Sequence, residues 1–238
     1  MLKLCVIGDP VAHSLSPMLH REMLEKAGID GTYEAVTVRA EELETFVKSA
    51  KNGAFDGFNV TMPHKETIIP LLDELAPSAR AMGAVNTVVV RNGRAIGHNT
   101  DGDGLVRSLP ELPEKAVVLG NGGAAKAVSR ALRQNGVEVV ICARHPAAGE
   151  RPWQEIGEAV KDCGLLINAT PLGMDKKDDF LDFSFLQKLP KSAIVYDLVY
   201  HPRETKLLQE AKKLCHPTIE GFALLKSQAE LAFSIFTT

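Results

Sequence analysis

The chain has 238 residues, of which 45% are hydrophobic and 24% charged, and its formal net charge is −3 at pH 7. This length suffices for one large domain or two small ones, each with its own core. We predict no nucleic-acid partner, because no basic patch with interleaved aromatic residues occurs. We predict no membrane partner, because no apolar run approaches the roughly 18 residues of a membrane helix.

The N-terminus and the cysteines indicate the compartment. The first apolar run ends at a turn signal, Gly8, and is too short for a signal peptide. Cys5, Cys142, Cys163 and Cys215 are widely spaced and form no C-x-x-C pair. Three of them lie in or beside apolar runs, which predicts buried thiols and neither disulfides nor a zinc site. We therefore expect a cytoplasmic protein without a bound metal.

The first predicted strand, residues 4–7, is followed by a helix that ends at Gly28. Ser16 and Pro17 suit the N-cap and the first position of that helix. Ser14 has no such structural role. Two serines at the mouth of a strand could instead hydrogen-bond a polyol or a carboxylate.

Residues 32–38 predict a second strand, residues 41–50 a helix and residues 58–61 a third strand. This β-α-β-α-β order predicts an α/β fold with a parallel sheet and right-handed crossovers. Ligands of such sheets bind beyond the carboxyl ends of the strands, where both serines lie.

The third strand leads into an unusually polar stretch. Asn59 and Thr61, two residues apart, face the same side if the strand includes both. Pro63 suits the first position of a helix. Lys65 then lies in the first turn, where the helix macrodipole disfavours a cation. It is either a solvated surface residue or one placed for function.

A strand over residues 83–90 and a return strand over residues 95–98 flank Asn92-Gly93, a strong hairpin signal. The acidic segment 99–104 follows. It does not predict a calcium loop, because its twelfth position is Pro110 rather than a bidentate glutamate. Asp101 could cap a helix that begins near Gly104, or its carboxylate could face a cleft.

The segment 110–115, with two prolines and three charged residues, is the clearest boundary signal. Beyond it, a strand, the pattern Gly120-x-Gly122-x-x-Ala125 and a helix to Gln134 predict a dinucleotide site. Gly120 allows the tight turn, and Gly122 lets backbone N–H groups approach a pyrophosphate at the helix N-terminus. The alternative is a glycine-rich turn without a ligand.

The next strand, residues 137–142, ends before Ala143-Arg144-His145. An arginine here suits the 2′-phosphate of NADP, whereas NAD-specific sites carry an acidic residue. Further strands are predicted over residues 165–168 and 194–199, and helices over residues 204–214 and from about residue 222. Gln228 in the last helix faces either a cleft or solvent.

Together these stretches resemble the shikimate dehydrogenase family over nearly the whole chain. The resemblance runs in order through HSLSP at 13–17, FNVTMPHK at 58–65, GAVNT at 83–87, NTDG at 99–102, GNGGAA at 120–125, NATP at 168–171, YDLVY at 196–200 and QA at 228–229.

The resemblance implies an NADP-dependent enzyme that reversibly reduces 3-dehydroshikimate to shikimate. It implies a catalytic pair, Lys65 and Asp101. The substrate-binding residues would be Ser14, Ser16, Asn59, Thr61, Lys65, Asn86, Asp101, Tyr200 and Gln228. The residues around the cofactor would be Gly120, Gly122, Gly123, Ala124, Ala143, Arg144, Asn168, Thr170, Leu198 and Gly221.

The implied architecture is a mainly parallel α/β substrate domain, residues 1–101, completed by helix 222–238, and a Rossmann domain, residues 102–221, for NADP. We expect a monomer or homodimer. The chain departs from the family pattern at Ala143 and His145, where the family often has asparagine and threonine, and at Asn121, which replaces a small residue. An NAD-using quinate/shikimate dehydrogenase and a non-catalytic dinucleotide-binding regulator remain alternatives.

Overall fold

A computed structural model describes residues 1–174 and 179–238. The chain forms two compact units, one of Met1–Gly104 with Lys226–Thr238, the other of Leu105–Leu225. From the sequence we expected boundaries after residue 101 and before residue 222. The segment 110–115 lies inside the second unit, because the side chains of Leu105 and Leu109 before it belong to that unit's core.

The first unit alternates short helices with strands. Its elements are β1 Leu2–Gly8, α1 Ser16–Ala27, β2 Gly31–Thr37, a 3-10 turn Ala40–Glu42, α2 Leu43–Ser49, a π turn Ala50–Ala54, β3 Gly57–Val60, α3 His64–Thr67, a 3-10 turn Ile69–Leu71, β4 Glu74–Leu75, α4 Pro77–Met82, β5 Thr87–Arg91, β6 Arg94–His98 and the start of α5 Asp101–Ser108.

The sheet of the first unit has the order β2-β1-β3-β5-β6-β4. Strand β1 pairs in parallel with β2 and β3, which confirms the predicted β-α-β-α-β arrangement. Strands β3, β5 and β6 then pair antiparallel. The predicted hairpin joins β5 and β6, with φ of 52° at Asn92 and 73° at Gly93, the left-handed pair of a type I′ turn.

Two predicted elements of this unit differ from the structure. The helix expected over residues 41–50 is divided into a 3-10 turn, α2 and a π turn that ends near Gly53, whose φ is 93°. The strand expected from residue 83 begins only at Thr87. Gly83 instead ends α4 in the left-handed conformation, so the chain cannot yet be extended there.

The second unit is a regular β/α domain. Its elements are the end of α5, β7 Lys115–Leu119, α6 Gly123–Gln134, β8 Glu138–Ala143, β9 Arg151–Pro152, a 3-10 turn Trp153–Glu155, α7 Ile156–Ala159, β10 Leu165–Asn168, a 3-10 turn Ser184–Lys188, β11 Ile194–Asp197, α8 Lys206–Lys213, β12 Thr218–Ile219 and the start of α9 Gly221–Thr237.

Its sheet has the order β12-β11-β10-β7-β8-β9, and every pair is parallel. Counted from β7, this is the 3-2-1-4-5-6 order of the dinucleotide-binding fold, as predicted. Both faces are buried, because Val117 and Leu119 pack into one core while Ala116 and Val118 pack into the other. A parallel sheet requires such double coverage.

None of the four cysteines forms a disulfide, and Cys5, Cys142 and Cys163 are buried. Three of the four are thus buried thiols, as predicted, and the fourth, Cys215, is exposed beyond α8 with a φ of 62°. Within residues 1–174 and 179–238, no helix is long and apolar enough to span a membrane.

Candidate active site

A lysine and a carboxylate meet in the first unit. Lys65 lies in α3, which follows β3, and Asp101 begins α5, which follows β6. The strands β3 and β6 run in the same direction, because both are antiparallel to β5, so their carboxyl ends share one edge of the sheet. Lys65 Nζ donates to Asp101 Oδ2 at 2.7 Å, with 35% and 21% of the two side chains exposed.

Asn86 fixes the orientation of this carboxylate. Its Nδ2 donates to Asp101 Oδ1 at 2.9 Å, while its own Oδ1 accepts from the backbone N–H of Thr100 and the hydroxyl of Thr87, both at 2.9 Å. Asn86 is only 3% exposed, so it cannot rotate into solvent. Of the two roles that the sequence left open for Asp101, the N-cap does not apply, because α5 begins at Asp101 itself, whose N–H donates to Asn99 Oδ1.

The hydrogen bonds continue inward from Asn86. Asn59 Nδ2 donates to the backbone oxygen of Asn86 and to Thr87 Oγ1, both at 3.0 Å. The hydroxyl of Tyr33, on β2, donates to Asn59 Oδ1 at 2.6 Å. We call Tyr33, Asn59, Thr87, Asn86, Asp101 and Lys65 the polar network. A buried network whose members are satisfied holds each side chain in one geometry.

The far end of the polar network lies in an aromatic pocket. The His20 ring of α1 stacks on Tyr33 with centroids 4.2 Å apart and planes 5° from parallel. Burial lowers the pKa of His20 to about 3, so its ring is neutral. Burial also raises the pKa of Tyr33 well above its ordinary value, although the nearby Ser16 hydroxyl opposes the rise. Tyr33 therefore keeps its proton and remains a donor to Asn59.

The two serines have structural roles other than those that the sequence suggested. The prediction that Ser16 caps α1 is wrong: the cap residue is Leu15, without a side-chain cap, and Ser16 is the first helical residue. The Oγ of Ser14 instead accepts from the backbone N–H of Ser16 at 3.2 Å. The cause is a one-residue shift in where the helix begins. Ser14 is half-buried and Ser16 is 8% exposed.

The turn from β3 into α3 positions Thr61 and Lys65. Thr61 lies just past the end of β3, where its N–H donates to Ile7 O at 2.9 Å. Pro63 was predicted to be the first residue of α3, but it is the N-cap, and the helix begins at His64. The N–H of His64 donates to the carbonyl oxygen of Thr61 in the turn before the helix. The buried His64 ring donates from Nε2 to Val38 O at 2.6 Å.

Gln228, on α9, faces the same unit and not solvent. Its Oε1 accepts from the hydroxyl of Thr100 at 3.4 Å. The helix α9 approaches α5 closely at this point, since a Cβ on Gly104 would lie 2.8 Å from the Cβ of Gln228. Only glycine at residue 104 leaves room for this contact.

The glycine loop of the second unit has the form of an anion site. Gly120 has a φ of 98°, which a residue with a side chain rarely adopts, and Gly122 is the N-cap of α6. A Cβ on Gly122 or Gly123 would meet no described atom within 4 Å, so the backbone there is open to a ligand. These observations fit a dinucleotide, because the N–H groups at the start of a 12-residue helix bind phosphate. Ala124, the next residue, is exposed.

The end of β8 lies beside this loop. Gly120 N donates to Cys142 O at 2.8 Å, and Ala143 is buried directly after it. Arg144 follows, exposed, and forms no ion pair with any described carboxylate. Its guanidinium is thus available to an anion, which fits the 2′-phosphate of NADP.

The remaining predicted cofactor residues differ in their accessibility. Asn168 is fully buried, and its side chain donates to Asp197 Oδ1 at 2.9 Å and accepts from Thr170 Oγ1 at 2.6 Å. Asn168 therefore fixes the conformation of the loop that follows β10. A Cβ on Gly221 would lie 2.6 Å from the carbonyl oxygen of Leu198.

Tyr200, predicted to lie near the substrate, belongs to the second unit and is 38% exposed beyond β11. The Lys65 and Asp101 side chains that sequence reasoning paired are in contact, and Asn59 and Asn86 join them. Sequence reasoning missed Tyr33, Thr87, Thr100 and His64. Of these, Tyr33 could have been found from the sequence, because the hydroxyl of a tyrosine on a buried strand requires a hydrogen-bond partner.

Comparisons with known proteins identify the family of this chain. The family model for the shikimate dehydrogenase substrate binding domain matches residues 6–88. The shikimate dehydrogenase (NADP(+)) of Geobacter metallireducens is 40% identical, over 98% of this chain and 90% of the relative. The chain belongs to the shikimate dehydrogenase family. The family resemblance predicted from the motifs is thereby confirmed.

Solved structures of the shikimate dehydrogenase family share the fold. Shikimate 5-dehydrogenase from Thermus thermophilus, in complex with NADP(H) and shikimate, is 38% identical with a TM-score of 0.89, covering 100% of this chain and 94% of that one. The enzyme from Listeria monocytogenes, in complex with shikimate and NAD, is 30% identical with a TM-score of 0.89, covering 100% and 92%. Members of this family thus occur in complexes with either dinucleotide.

Proposed function

We propose that this chain is an NADP-dependent shikimate dehydrogenase that reversibly reduces 3-dehydroshikimate to shikimate in aromatic amino-acid biosynthesis. The observation that carries the proposal is the Lys65–Asp101 ion pair, half-buried and oriented by Asn86. Membership of the family supports the substrate and the cofactor. A non-catalytic dinucleotide-binding regulator would not need this pair.

In the proposed reaction, bound NADPH supplies the hydride that the carbonyl carbon accepts. The carbonyl oxygen gains negative charge and needs a proton in the transition state. Lys65 donates this proton from Nζ to the oxygen at C3 of 3-dehydroshikimate. Asp101 holds the ammonium group in place at 2.7 Å, and Asn86 in turn holds Asp101. In the reverse direction the pair receives the proton.

The proposed substrate contacts come mainly from the first unit. Hydroxyl and amide side chains there can hydrogen-bond the hydroxyls and carboxylate of shikimate. A site built for hydroxyl groups discriminates against analogues that lack them, because its own polar groups would be left unpaired. The proposed contacts are Ser14, Ser16, Asn59, Thr61, Lys65, Asn86, Asp101 and Gln228, with Tyr200 of the second unit also near the substrate.

The second unit is the proposed NADP domain. Gly120, Gly122, Gly123 and Ala124 would hold the pyrophosphate at the start of α6, and Arg144 would bind the 2′-phosphate. The remaining residues proposed to line the cofactor site are Ala143, Asn168, Thr170, Leu198 and Gly221. We further propose that the enzyme works in the cytoplasm as a monomer or homodimer, and its native mass distinguishes these two states.

The absorbance of reduced nicotinamide tests the activity. We expect reduction of NADP that depends on shikimate. The rate should be lower when NAD replaces NADP, and lower when quinate replaces shikimate. Equal rates with quinate would favour a quinate/shikimate dehydrogenase, and no reduction with either dinucleotide would favour a regulator. Lys65→Ala is expected to lower kcat by at least ~10²-fold with little change in KM, because general acid catalysis typically contributes that much.

Lys51→Ala is the matched control. Lys51 Nζ contacts Asp73 Oδ1 at 2.8 Å in the same unit, with 28% and 29% of the two side chains exposed. Lys51→Ala therefore removes a comparable ion pair outside the polar network. If Lys65→Ala raised KM strongly and preserved turnover, Lys65 would be a binding residue and not the proton donor.

A further inference from the structure

The turn after β8 is closed by a carboxylate. Glu150 Oε2 accepts from Asn121 Nδ2 at 2.9 Å and from the backbone N–H of Ala147 at 2.8 Å. Asn121 Nδ2 also donates to the backbone oxygen of His145 at 2.9 Å. The side chain of Asn121, at the position where the family pattern has a small residue, thus ties the glycine loop to the turn.

This carboxylate lies where a dinucleotide fold recognises the adenosine ribose. Asn121 stands between the two glycines of the phosphate loop, and His145 directly follows Arg144 at the end of β8. In this fold, an acidic residue near the end of the second strand accepts from the ribose 2′-hydroxyl of NAD, whereas an arginine accommodates the 2′-phosphate of NADP. This chain places both kinds of side chain beside the same loop.

Glu150 retains an unused acceptor. Both of its hydrogen bonds are made by Oε2, and Oε1 bonds to no described residue. The side chain is half-buried and lines a surface cleft with Lys126, Arg130 and Ile141. No ion pair within 4.0 Å joins it to any described lysine or arginine, so Arg144 does not neutralise it.

We propose that Glu150, held by Asn121, is a specificity residue that reduces the preference for NADP over NAD. Its Oε1 accepts from the ribose 2′-hydroxyl of NAD and repels the 2′-phosphate of NADP, which Arg144 attracts. The inference rests on the proposed function of the second unit as a dinucleotide domain. The cofactor site of this chain should therefore accept NAD more readily than Arg144 alone predicts.

Direct binding of two cofactor fragments to the full chain, measured by calorimetry, tests the inference without turnover. The fragments are adenosine 2′,5′-bisphosphate, which carries the 2′-phosphate, and adenosine 5′-monophosphate, which has the free hydroxyl. Glu150→Gln keeps the shape of the side chain and removes its charge. We expect it to raise the ratio of the two affinities, bisphosphate over monophosphate, about 10-fold, equal to about 1.4 kcal/mol. Most of the change should be tighter bisphosphate binding.

Glu114→Gln is the matched control. Glu114 is exposed just before the amino end of β7, the end opposite the glycine loop, so the same loss of charge should leave the ratio unchanged. A ratio within about twofold of wild type in Glu150→Gln would overturn the inference and leave Glu150 as a residue that only closes the turn. Equal changes for both fragments would overturn it as well.

The failure of the proposed function has a different signature. If wild-type protein bound neither fragment and neither dinucleotide, the second unit would not be a dinucleotide domain and both proposals would fall. If it bound both fragments and reduced NADP with shikimate, but the ratio did not respond to Glu150→Gln, only the specificity role would fall. Unfolding curves of both variants verify that each is folded.

Discussion

Tyr33→Phe tests whether the polar network positions the active site. The substitution removes one hydroxyl and keeps the ring that stacks on His20. Asn59 is only 7% exposed, so its Oδ1 loses the 2.6 Å bond from Tyr33 and gains no water in return. An unsatisfied buried acceptor costs about 1–3 kcal/mol, and we expect the free energy of unfolding to fall by that amount.

The same substitution should impair catalysis. Asn59 holds the backbone of Asn86 and the hydroxyl of Thr87, and Asn86 orients Asp101. Small misplacements of catalytic groups reduce rates strongly, so we expect kcat/KM for shikimate to fall about 10-fold. Urea unfolding followed by circular dichroism measures the stability, and steady-state kinetics in shikimate measures the catalytic effect.

Tyr196→Phe is the matched control. Tyr196 is fully buried in the second unit, and its hydroxyl bonds to Ser108 Oγ at 2.8 Å. The two variants lose the same chemical group from comparable surroundings, so both should be destabilised. Only Tyr33→Phe should lower kcat/KM for shikimate. Destabilisation of Tyr33→Phe with kcat and KM within about twofold of wild type would refute the positioning role.

Three further substitutions have defined outcomes. Gly104→Ala should raise KM for shikimate and destabilise the protein by about 1–3 kcal/mol in urea unfolding, because the new Cβ would lie 2.8 Å from the Cβ of Gln228. His20→Phe should reduce the loss of stability on acidification in urea titrations between pH 6.5 and 3, because the folded-state pKa of about 3 lies below the ordinary 6.5 and the folded state binds fewer protons there. Asp197→Asn should have the opposite effect and reduce the loss of stability as the pH rises from 3.8 to 6. Burial raises the pKa of Asp197 from 3.8 to about 6, so its contribution to stability is present below 3.8 and is lost as pH rises through 6.

Each of these predictions has a contradicting result. Wild-type stability and KM in Gly104→Ala would mean that α5 and α9 separate at no cost. If the stability of His20→Phe fell between pH 6.5 and 3 as steeply as that of wild type, the folded wild-type protein would protonate the His20 ring. If the stability of Asp197→Asn changed between pH 3.8 and 6 as steeply as that of wild type, the carboxylate would be ionised throughout that range in the folded state.

The dinucleotide half of the fold could be predicted because its signals are local. The glycine loop, the helix to Gln134 and its stop at Gly136 are contiguous, and propensity and turn chemistry agree along the whole stretch. The hairpin at Asn92-Gly93 was predictable for the same reason. Ser16 was wrongly predicted as the cap of α1, because a cap depends on a single residue of register, which periodicity does not resolve.

The polar network could not be read from the sequence, because its bonds join distant residues. Tyr33 and Asn59 are 26 positions apart, and Asn59 and Thr87 are 28 apart. A sequence shows which polar side chains occur near strand ends. It does not show which buried donor satisfies which acceptor, because that depends on strand order and on how the helices pack. Lys65 and Asp101 were paired by family resemblance and not by spacing.

The chain has one tryptophan, Trp153, which stacks on Phe180 in the second unit with centroids 5.8 Å apart. Its intrinsic fluorescence therefore reports the unfolding of that unit alone, whereas circular dichroism reports the helices of both units. If the two optical transitions coincide, the protein unfolds as one cooperative body. If ellipticity is lost before the indole emission changes, unfolding begins in the unit that contains Tyr33 and His20. The position of a single indole ring thus separates the melting of the second unit from that of the molecule as a whole.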